Sequence, residues 1–333
     1  LSSSIGALFA MPFTGWLIIR NGSRRITIFS AFAYCALIVF IPKMPVLAGL
    51  VILFFLLGIT SGMLDVAMNS QAVMVEKQLG KPIMTSFHAL FSIGMMMGAF
   101  SGSLFAKLDT GLFIHFGAIS LISVIVVLIA RYYLIHDKPA SKAQEGPAFR
   151  LPNAAMVSIG IIAFCSMLGE GAMADWSTNY MENIAHADRA IAPLGLSAFA
   201  MAMTIGRLFG DGARVRYGDK SLMVVCGLVA SVGLTLAILF TNPFAVIGGL
   251  FVVGIGLSAI VPIAYSIAGH TRNLPPGVGL AMVTTVGYSG FLFGPPIIGL
   301  LADMFTLRYA LLLAVILFVV MTVLSLRYNS EKV

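Results

Sequence analysis

Phe54-Phe55-Leu56-Leu57-Gly58-Ile59 (FFLLGI) recurs 196 residues further on as Leu250-Phe251-Val252-Val253-Gly254-Ile255 (LFVVGI). The same shift lays Arg20-Asn21-Gly22 on Arg216-Tyr217-Gly218, and Gly94 and Gly98 on Gly290 and Gly294. It also lays Leu104, Ala106 and Thr110 on Leu300, Ala302 and Thr306. The second half therefore repeats the first in the same direction and almost without gaps. Each half is rich in apolar runs long enough to cross a bilayer.

Composition agrees with a lipid environment. The chain is 59% hydrophobic and 10% charged, with a mean hydropathy of +1.00. A soluble domain carries about 25% charged residues. The net charge of +7 does not mark a nucleic-acid face, because the basic residues sit mostly in short loops between apolar runs, where they set orientation. No nucleic-acid partner is expected. Cys35, Cys165 and Cys226 lie one to a span. They read as small buried apolar residues, with no disulfide and no metal-ligand spacing.

Eleven spans can be drawn, at 1–19, 25–42, 45–73, 84–106, 110–135, 153–180, 189–212, 219–240, 242–268, 277–303 and 306–327. Each is near the ~20 residues that a bilayer core requires. Pro152, Pro243 and Pro275–Pro276 open spans, where a missing N–H matters least. Pro12, Pro262 and Pro295–Pro296 fall inside spans and are expected to kink them. The loops alternate in charge. Arg20, Arg24, Arg25, Lys77, Lys81, Arg131, Lys138, Lys142, Arg150, Arg214, Arg216, Lys220, Arg272, Arg327 and Lys332 share one side, against Lys43, Lys107, Arg189 and Arg308 on the other. The positive-inside rule makes the first side cytoplasmic. Residue 1 then starts outside, and the C-terminus at Val333 is cytoplasmic. The sixth span, shifted back, has no partner in the first half. A parent of twelve spans is therefore expected, with its first helix missing here. The expected organisation is an N-terminal bundle at 1–135, a cytoplasmic linker at 136–152 (HDKPASKAQEGPAFRLP) and a C-terminal bundle at 153–333.

Parallel repeats of membrane spans are a signature of secondary transporters, whose site lies between the repeats. Gly15-Trp16-Leu17-Ile18-Ile19-Arg20-Asn21-Gly22-Ser23-Arg24-Arg25 resembles the signature loop of the major facilitator superfamily: glycine, three residues, aspartate, then Arg-x-Gly and basic residues. Ile19 holds the aspartate position and Val215 holds it in the second copy, while Asp211 lies one turn earlier in Gly206-Arg207-Leu208-Phe209-Gly210-Asp211. That run is similar to a bacterial branch near the fucose permeases. So are Gly169-Glu170-Gly171 with Asp175-Trp176, and Asp65-Val66-Ala67-Met68-Asn69. The resemblance implies an all-α polytopic fold of two six-helix bundles, the first reduced to five. It also implies a multi-pass protein of the inner membrane that works by alternating access.

Ionisable groups inside a bilayer are expensive, from ~3 to over ~10 kcal/mol. Each therefore needs an account. Gly58, Gly62, Asp65 and Asn69 fall on one helical stripe, the glycines admitting a neighbouring helix and the polar pair facing inward. Asp65 and Asn69 read either as a solute-binding pair with a protonatable carboxylate or as an interhelical clamp. Thr85, His88 and Ser92 share a face, and His88 reads as a proton relay or a helix tie. Glu170 lies about 25 Å of helix rise from the start of its span, between two glycines that would let a ligand approach. It is the candidate proton site. Trp176 is a candidate aromatic platform or interfacial anchor, with Asp175 and Asn179 on a shared face toward the outer mouth. Arg207 and Asp211, spaced i,i+4, are expected to pair and lock a cytoplasmic gate. Arg20, Gly22, Arg24, Arg216 and Gly218 complete the gate and loop set. The ladders Gly94-x3-Gly98-x3-Gly102 and Gly290-x3-Gly294 are expected to let helices cross closely.

The expected activity is proton-coupled symport of a small organic solute, such as a sugar or related metabolite, by a monomer that needs no cofactor beyond the proton. One proton crossing ~100 mV releases ~2.3 kcal/mol. A ΔpH of about one unit adds ~1.4 kcal/mol, enough together for roughly 500-fold accumulation of a neutral solute. Efflux of an apolar or organic compound would use the same fold. A non-transporting sensor or assembly protein is the alternative of another class. No acid–base constellation, phosphate loop or nucleophile elbow suggests an enzyme.

Overall fold

In the computed structural model, residues 1–137, 154–271, 274 and 276–328 are described. The described residues form helices and no strands. These are α1 (Ser2–Asn21), α2 (Ser23–Ile38), α3 (Leu47–Leu79), α4 (Met84–Lys107), α5 (Leu112–Ala130), α6 (Ala154–Asn183), α7 (Pro193–Tyr217), α8 (Asp219–Leu239), α9 (Pro243–Leu257), α10 (Ile260–His270), α11 (Pro276–Met304), α12 (Leu307–Ala310) and α13 (Leu312–Arg327). Taking α9 with α10 and α12 with α13, they supply eleven helices long and apolar enough to cross a membrane. Most of the expected linker, 138–152, lies outside the described residues, as do Arg272, Pro275 and Lys332.

Local chemistry explains several boundaries. Asn242 caps α9 through its side-chain oxygen, which accepts from Phe244 N and Ala245 N at 3.0 and 3.4 Å, and Pro243 takes the first helical position. The break between α9 and α10 falls at Ser258–Ala259. Pro262 lacks the N–H that would have bonded the Ser258 carbonyl, so the expected disruption of that span is a full break. α1 runs unbroken through Pro12, and α11 through Pro295 and Pro296. Gly22 and Gly218 each join two helices with φ/ψ of 81/149 and 76/160, a region that glycine alone tolerates. The Arg-x-Gly motif therefore makes the same turn in both halves.

The chain divides into two compact units that cross the sequence halves. One holds Leu1–Gly80, Ile93–Pro152 and Gly269–Thr285; the other holds Lys81–Ser92, Asn153–Ala268 and Val286–Val333. In the first, α1 lies against α3 so closely that a Cβ on Gly58 would overlap the Ser3 carbonyl, and one on Gly62 would come within 2.8 Å of the Ala7 carbonyl. In the second, a Cβ on Gly254 would overlap the Phe199 carbonyl of α7. Gly58 and Gly254 are the repeated glycines of FFLLGI and LFVVGI, and Ser3 and Phe199 stand at the same repeat register. The duplicated motif thus builds the same backbone-to-backbone helix contact twice.

The second glycine ladder packs as expected, the first does not. Gly290 and Gly294 press on α6, at the Phe164 carbonyl and at Leu168. Gly94 and Gly98 meet nothing within 4 Å, and Gly102 meets only His115 Cε1, at 3.8 Å. The reason is positional: α6 covers α11, whereas among the described residues no helix covers the corresponding face of α4.

Candidate functional site

In the second unit, α4, α6 and α7 converge on Arg207, whose side chain is 4% exposed. Its Nη1 donates to Ser92 Oγ at 2.6 Å, and Ser92 Oγ in turn donates to the His88 carbonyl at 3.2 Å. Its Nη2 lies 3.5 Å from Glu170 Oε1, and its Nε is buried with no hydrogen-bond partner among the described residues. The Glu170 side chain is 19% exposed. Membrane burial makes such pairing necessary, because an isolated charge there is costly. The pair is loose, however, since 3.5 Å exceeds the 2.7–2.9 Å of a tight charge-assisted bond.

His88 projects from the same face of α4 toward α10. Its ring meets Tyr265 edge-on, with centroids 5.7 Å apart, and its Nε2 is buried with no hydrogen-bond partner among the described residues. Asp211 stands one turn beyond Arg207 but does not pair with it. Its carboxylate instead receives Thr85 N at 2.9 Å, Ser86 N at 2.8 Å and Ser86 Oγ at 2.6 Å. It therefore caps the N-terminus of α4 from another helix, satisfying N–H groups with no partner inside the helix and meeting the positive end of its dipole. The expected Arg207–Asp211 pair is corrected accordingly: each side chain found a stronger partner across a helix interface than along its own helix.

The glycines flanking Glu170 also differ from expectation. Gly169 lies under the Phe318 ring, and a Cβ on Gly171 would come within 3.0 Å of Phe291. They admit aromatic rings of α13 and α11 rather than leaving room for a ligand. Trp176 is tied to α11, its Nε1 donating to the Pro295 carbonyl at 3.1 Å while its ring lies over Gly299. Asp175 and Asn179 are exposed and stand apart from the Arg207 cluster.

The model of the Major Facilitator Superfamily matches this sequence twice, over residues 1–160 and 159–332, once for each half of the repeat. The chain belongs to the Major Facilitator Superfamily. It is a multi-pass membrane transporter. It is 33% identical over 310 residues to an uncharacterized MFS-type transporter of Yersinia pestis, covering 93% of this chain and 80% of that protein. It is 30% identical to the membrane protein MosC of Rhizobium meliloti, covering 100% of this chain and 81% of that protein. The crystal structure of the E. coli fucose:proton symporter FucP superposes with a TM-score of 0.75 at 15% identity, covering 98% of this chain and 90% of that one. That likeness is one of fold.

The superfamily loop of the first unit is held by residues its signature does not include. Asp137 accepts from Ser23 N and, at 3.2 Å, from Arg24 N, so it caps α2. Gln71 of α3 donates to Ser23 Oγ at 2.7 Å and to the Ile135 carbonyl at 3.1 Å, and accepts from Ile135 N at 2.8 Å. Arg24 donates to the Arg131 carbonyl at 2.8 Å. Arg20 is exposed and stacks on Trp16 at 4.6 Å, as Arg216 does on Tyr217 at 5.3 Å. The second unit uses other chemistry at the matching loop. Arg214 bonds both Asp219 oxygens, at 2.8 and 3.1 Å, and Ser266 Oγ at 3.0 Å. Burial, with Asp219 beside it, pushes the Tyr328 phenol up to about 12.

Asp65 and Asn69 are joined within α3, Asn69 Nδ2 donating to the Asp65 carbonyl at 2.8 Å and to Oδ1 at 3.2 Å. In the same unit, Glu76 lies 3.8 Å from His270 Nδ1, and Lys77 Nζ donates to the Gly269 carbonyl at 3.0 Å. Gln71, Asp137, Arg214, Asp219, Glu76 and His270 were not among the sequence candidates. The repeat register held one usable signal: Asp219 stands where Ser23 stands, at the start of the helix after each Arg-x-Gly turn.

Proposed function

We propose that this transporter couples the movement of a small organic solute to a proton carried by Glu170. The observation that carries the reading is the loose pairing of the part-exposed Glu170 with the buried Arg207. The carboxylate is part-exposed and its cation stands 3.5 Å away, so the pair is held without being tightly closed. Protonation releases Arg207 from its pairing with Glu170, and this change of partner is the step that couples the proton to the change of face in the loaded carrier. Arg207 holds the carboxylate in place, Ser92 orients Arg207, and the Asp211 cap fixes the end of α4 that carries Ser92 and His88. Within the first unit, the hydrogen-bonded Asp65 and Asn69 are read as a polar pair able to bind solute. The charge bias of the loops supports a cytoplasmic C-terminus, and the carrier is read as a monomer of the inner membrane.

The test uses proteoliposomes in a mixture of small metabolites, with mass spectrometry of what they take up. Accumulation of a compound above its outside concentration is expected when the outside is acidic, and its collapse when a protonophore is added. Accumulation indifferent to both would refute proton coupling.

A further inference from the structure

The guanidinium of Arg207 has one edge engaged and one buried edge whose hydrogen-bonding capacity is largely unused. Nη1 is engaged by Ser92. The other edge, formed by Nε and Nη2, points two N–H groups in parallel. Among the described residues Nε has no hydrogen-bond partner, and Nη2 has Glu170 Oε1 at 3.5 Å. A parallel N–H pair matches the two oxygens of a carboxylate. Leaving a buried cationic N–H unpaired is unfavourable, so this edge is a preformed place for a planar anion. Glu170 beside it is part-exposed, with its side chain 19% accessible.

We propose that the solute of this carrier bears a carboxylate, which docks on the Nε–Nη2 edge of Arg207 when Glu170 is protonated. The inference rests on the proton-coupled reading above and names its substrate class. Glu170 and the solute compete for one cation. With Glu170 ionised, the Arg207–Glu170 pair is neutral and a second anion is repelled. With Glu170 protonated, the solute carboxylate restores neutrality at the same guanidinium. Each cycle then takes one proton and one monoanion from one side and releases both on the other. No net charge moves, and no co-reactant is required.

Other groups around the pair do not duplicate this role. α9 carries no ionisable side chain, and in α13 only Arg327, at its end, is ionisable. From α7, Asp211 is committed to the α4 cap and Arg214 to Asp219. The segment before α4 brings Lys81, which is exposed, and the early turns of α4 bring His88, which faces Tyr265 of α10. Within the same unit, α11 adds Tyr288, packed edge-on against Phe291, and Asp303, which is exposed near the helix end.

Two predictions separate this from neutral-solute symport. Proton-plus-anion transport is electroneutral, so accumulation follows ΔpH alone, about tenfold per pH unit, and ignores a potassium diffusion potential. Binding of the anion tightens by up to about tenfold for each unit that pH falls, because one proton enters with it.

The binding experiment uses the purified full chain with 13C-formate, lactate and benzoate as probes, followed by NMR. Glu170→Gln, which keeps the shape of the protonated acid, is expected to bind at least one probe with the pH dependence removed. Adding Arg207→Gln is expected to weaken that binding roughly 10- to 100-fold. Absence of probe binding to the Glu170→Gln protein, or binding that survives loss of Arg207, overturns the proposal. Proteoliposomes supply the second arm. Uptake of a neutral compound driven by both potential and ΔpH would sink the carboxylate inference while leaving proton coupling intact. Uptake driven by neither would sink the proton-coupled reading itself.

Discussion

Asp211→Ala should unfasten the start of α4. The carboxylate accepts three hydrogen bonds, from Thr85 N, Ser86 N and Ser86 Oγ, at 2.9, 2.8 and 2.6 Å. Bonds to a charged group contribute about 1.5–3 kcal/mol each, but these three do not count equally. Ser86 is exposed, so water replaces Asp211 at its N–H and hydroxyl. Thr85 is fully buried, and leaving its N–H unpaired costs about 1–3 kcal/mol. Losing the charge from the helix N-terminus adds about 0.3–1 kcal/mol. The sum is about 1–4 kcal/mol for Asp211→Ala. Asp211→Asn should lose about half of that, because its amide oxygen still accepts one bond. Hydrogen–deuterium exchange of peptides spanning residues 84–92 reads the effect directly. At about 1.4 kcal/mol per decade, exchange there should accelerate roughly 5- to 700-fold in Asp211→Ala, while peptides from α8 and α9 stay protected. Unchanged exchange at 84–92 would refute the capping role.

The turn glycines give a second test. Gly22→Ala and Gly218→Ala should each lower stability by about 1–3 kcal/mol in thermal unfolding, because their backbone angles exclude a side chain. Gly22 should suffer more, since its Cβ would also come within 2.9 Å of Asp137 Oδ1. At the repeated helix crossing, Gly58→Ala and Gly254→Ala should both lose about 1–3 kcal/mol through overpacking. Gly94→Ala, with nothing within 4 Å of the new carbon, should be neutral or gain up to about 1 kcal/mol of helix stability; equal losses at all three glycines would contradict the packing described.

The fold was legible because the repeat carries its own packing rule. Gly58 and Gly254 sit where a helix must pass backbone to backbone, and no larger residue fits, so the motif survives in both copies. The site was only partly legible. Glu170 and Arg207 stood out as ionisable groups within apolar spans, but spacing along one helix pointed Arg207 to Asp211 rather than to Glu170 or Ser92. Helical spacing reports neighbours on one helix and is blind to the stronger partners that tertiary packing brings. Gln71 went unnoticed for a related reason: an amide near a span end looks unremarkable until Ser23 and Ile135 are seen around it. The glycines beside Glu170 were misread because sequence shows where backbone is bare, not whether a ligand or a phenylalanine approaches it.

Concentrative uptake by the Glu170→Gln protein tests the central claim most directly, set against its ability to exchange solute across the same membrane. Proteoliposomes given an acidic exterior would be followed for net accumulation, and preloaded ones without a gradient for counterflow, using the compound that the wild-type protein takes up. A carrier coupled through Glu170 predicts that the variant retains counterflow and loses accumulation. Accumulation by Glu170→Gln equal to that of the wild-type protein would contradict it.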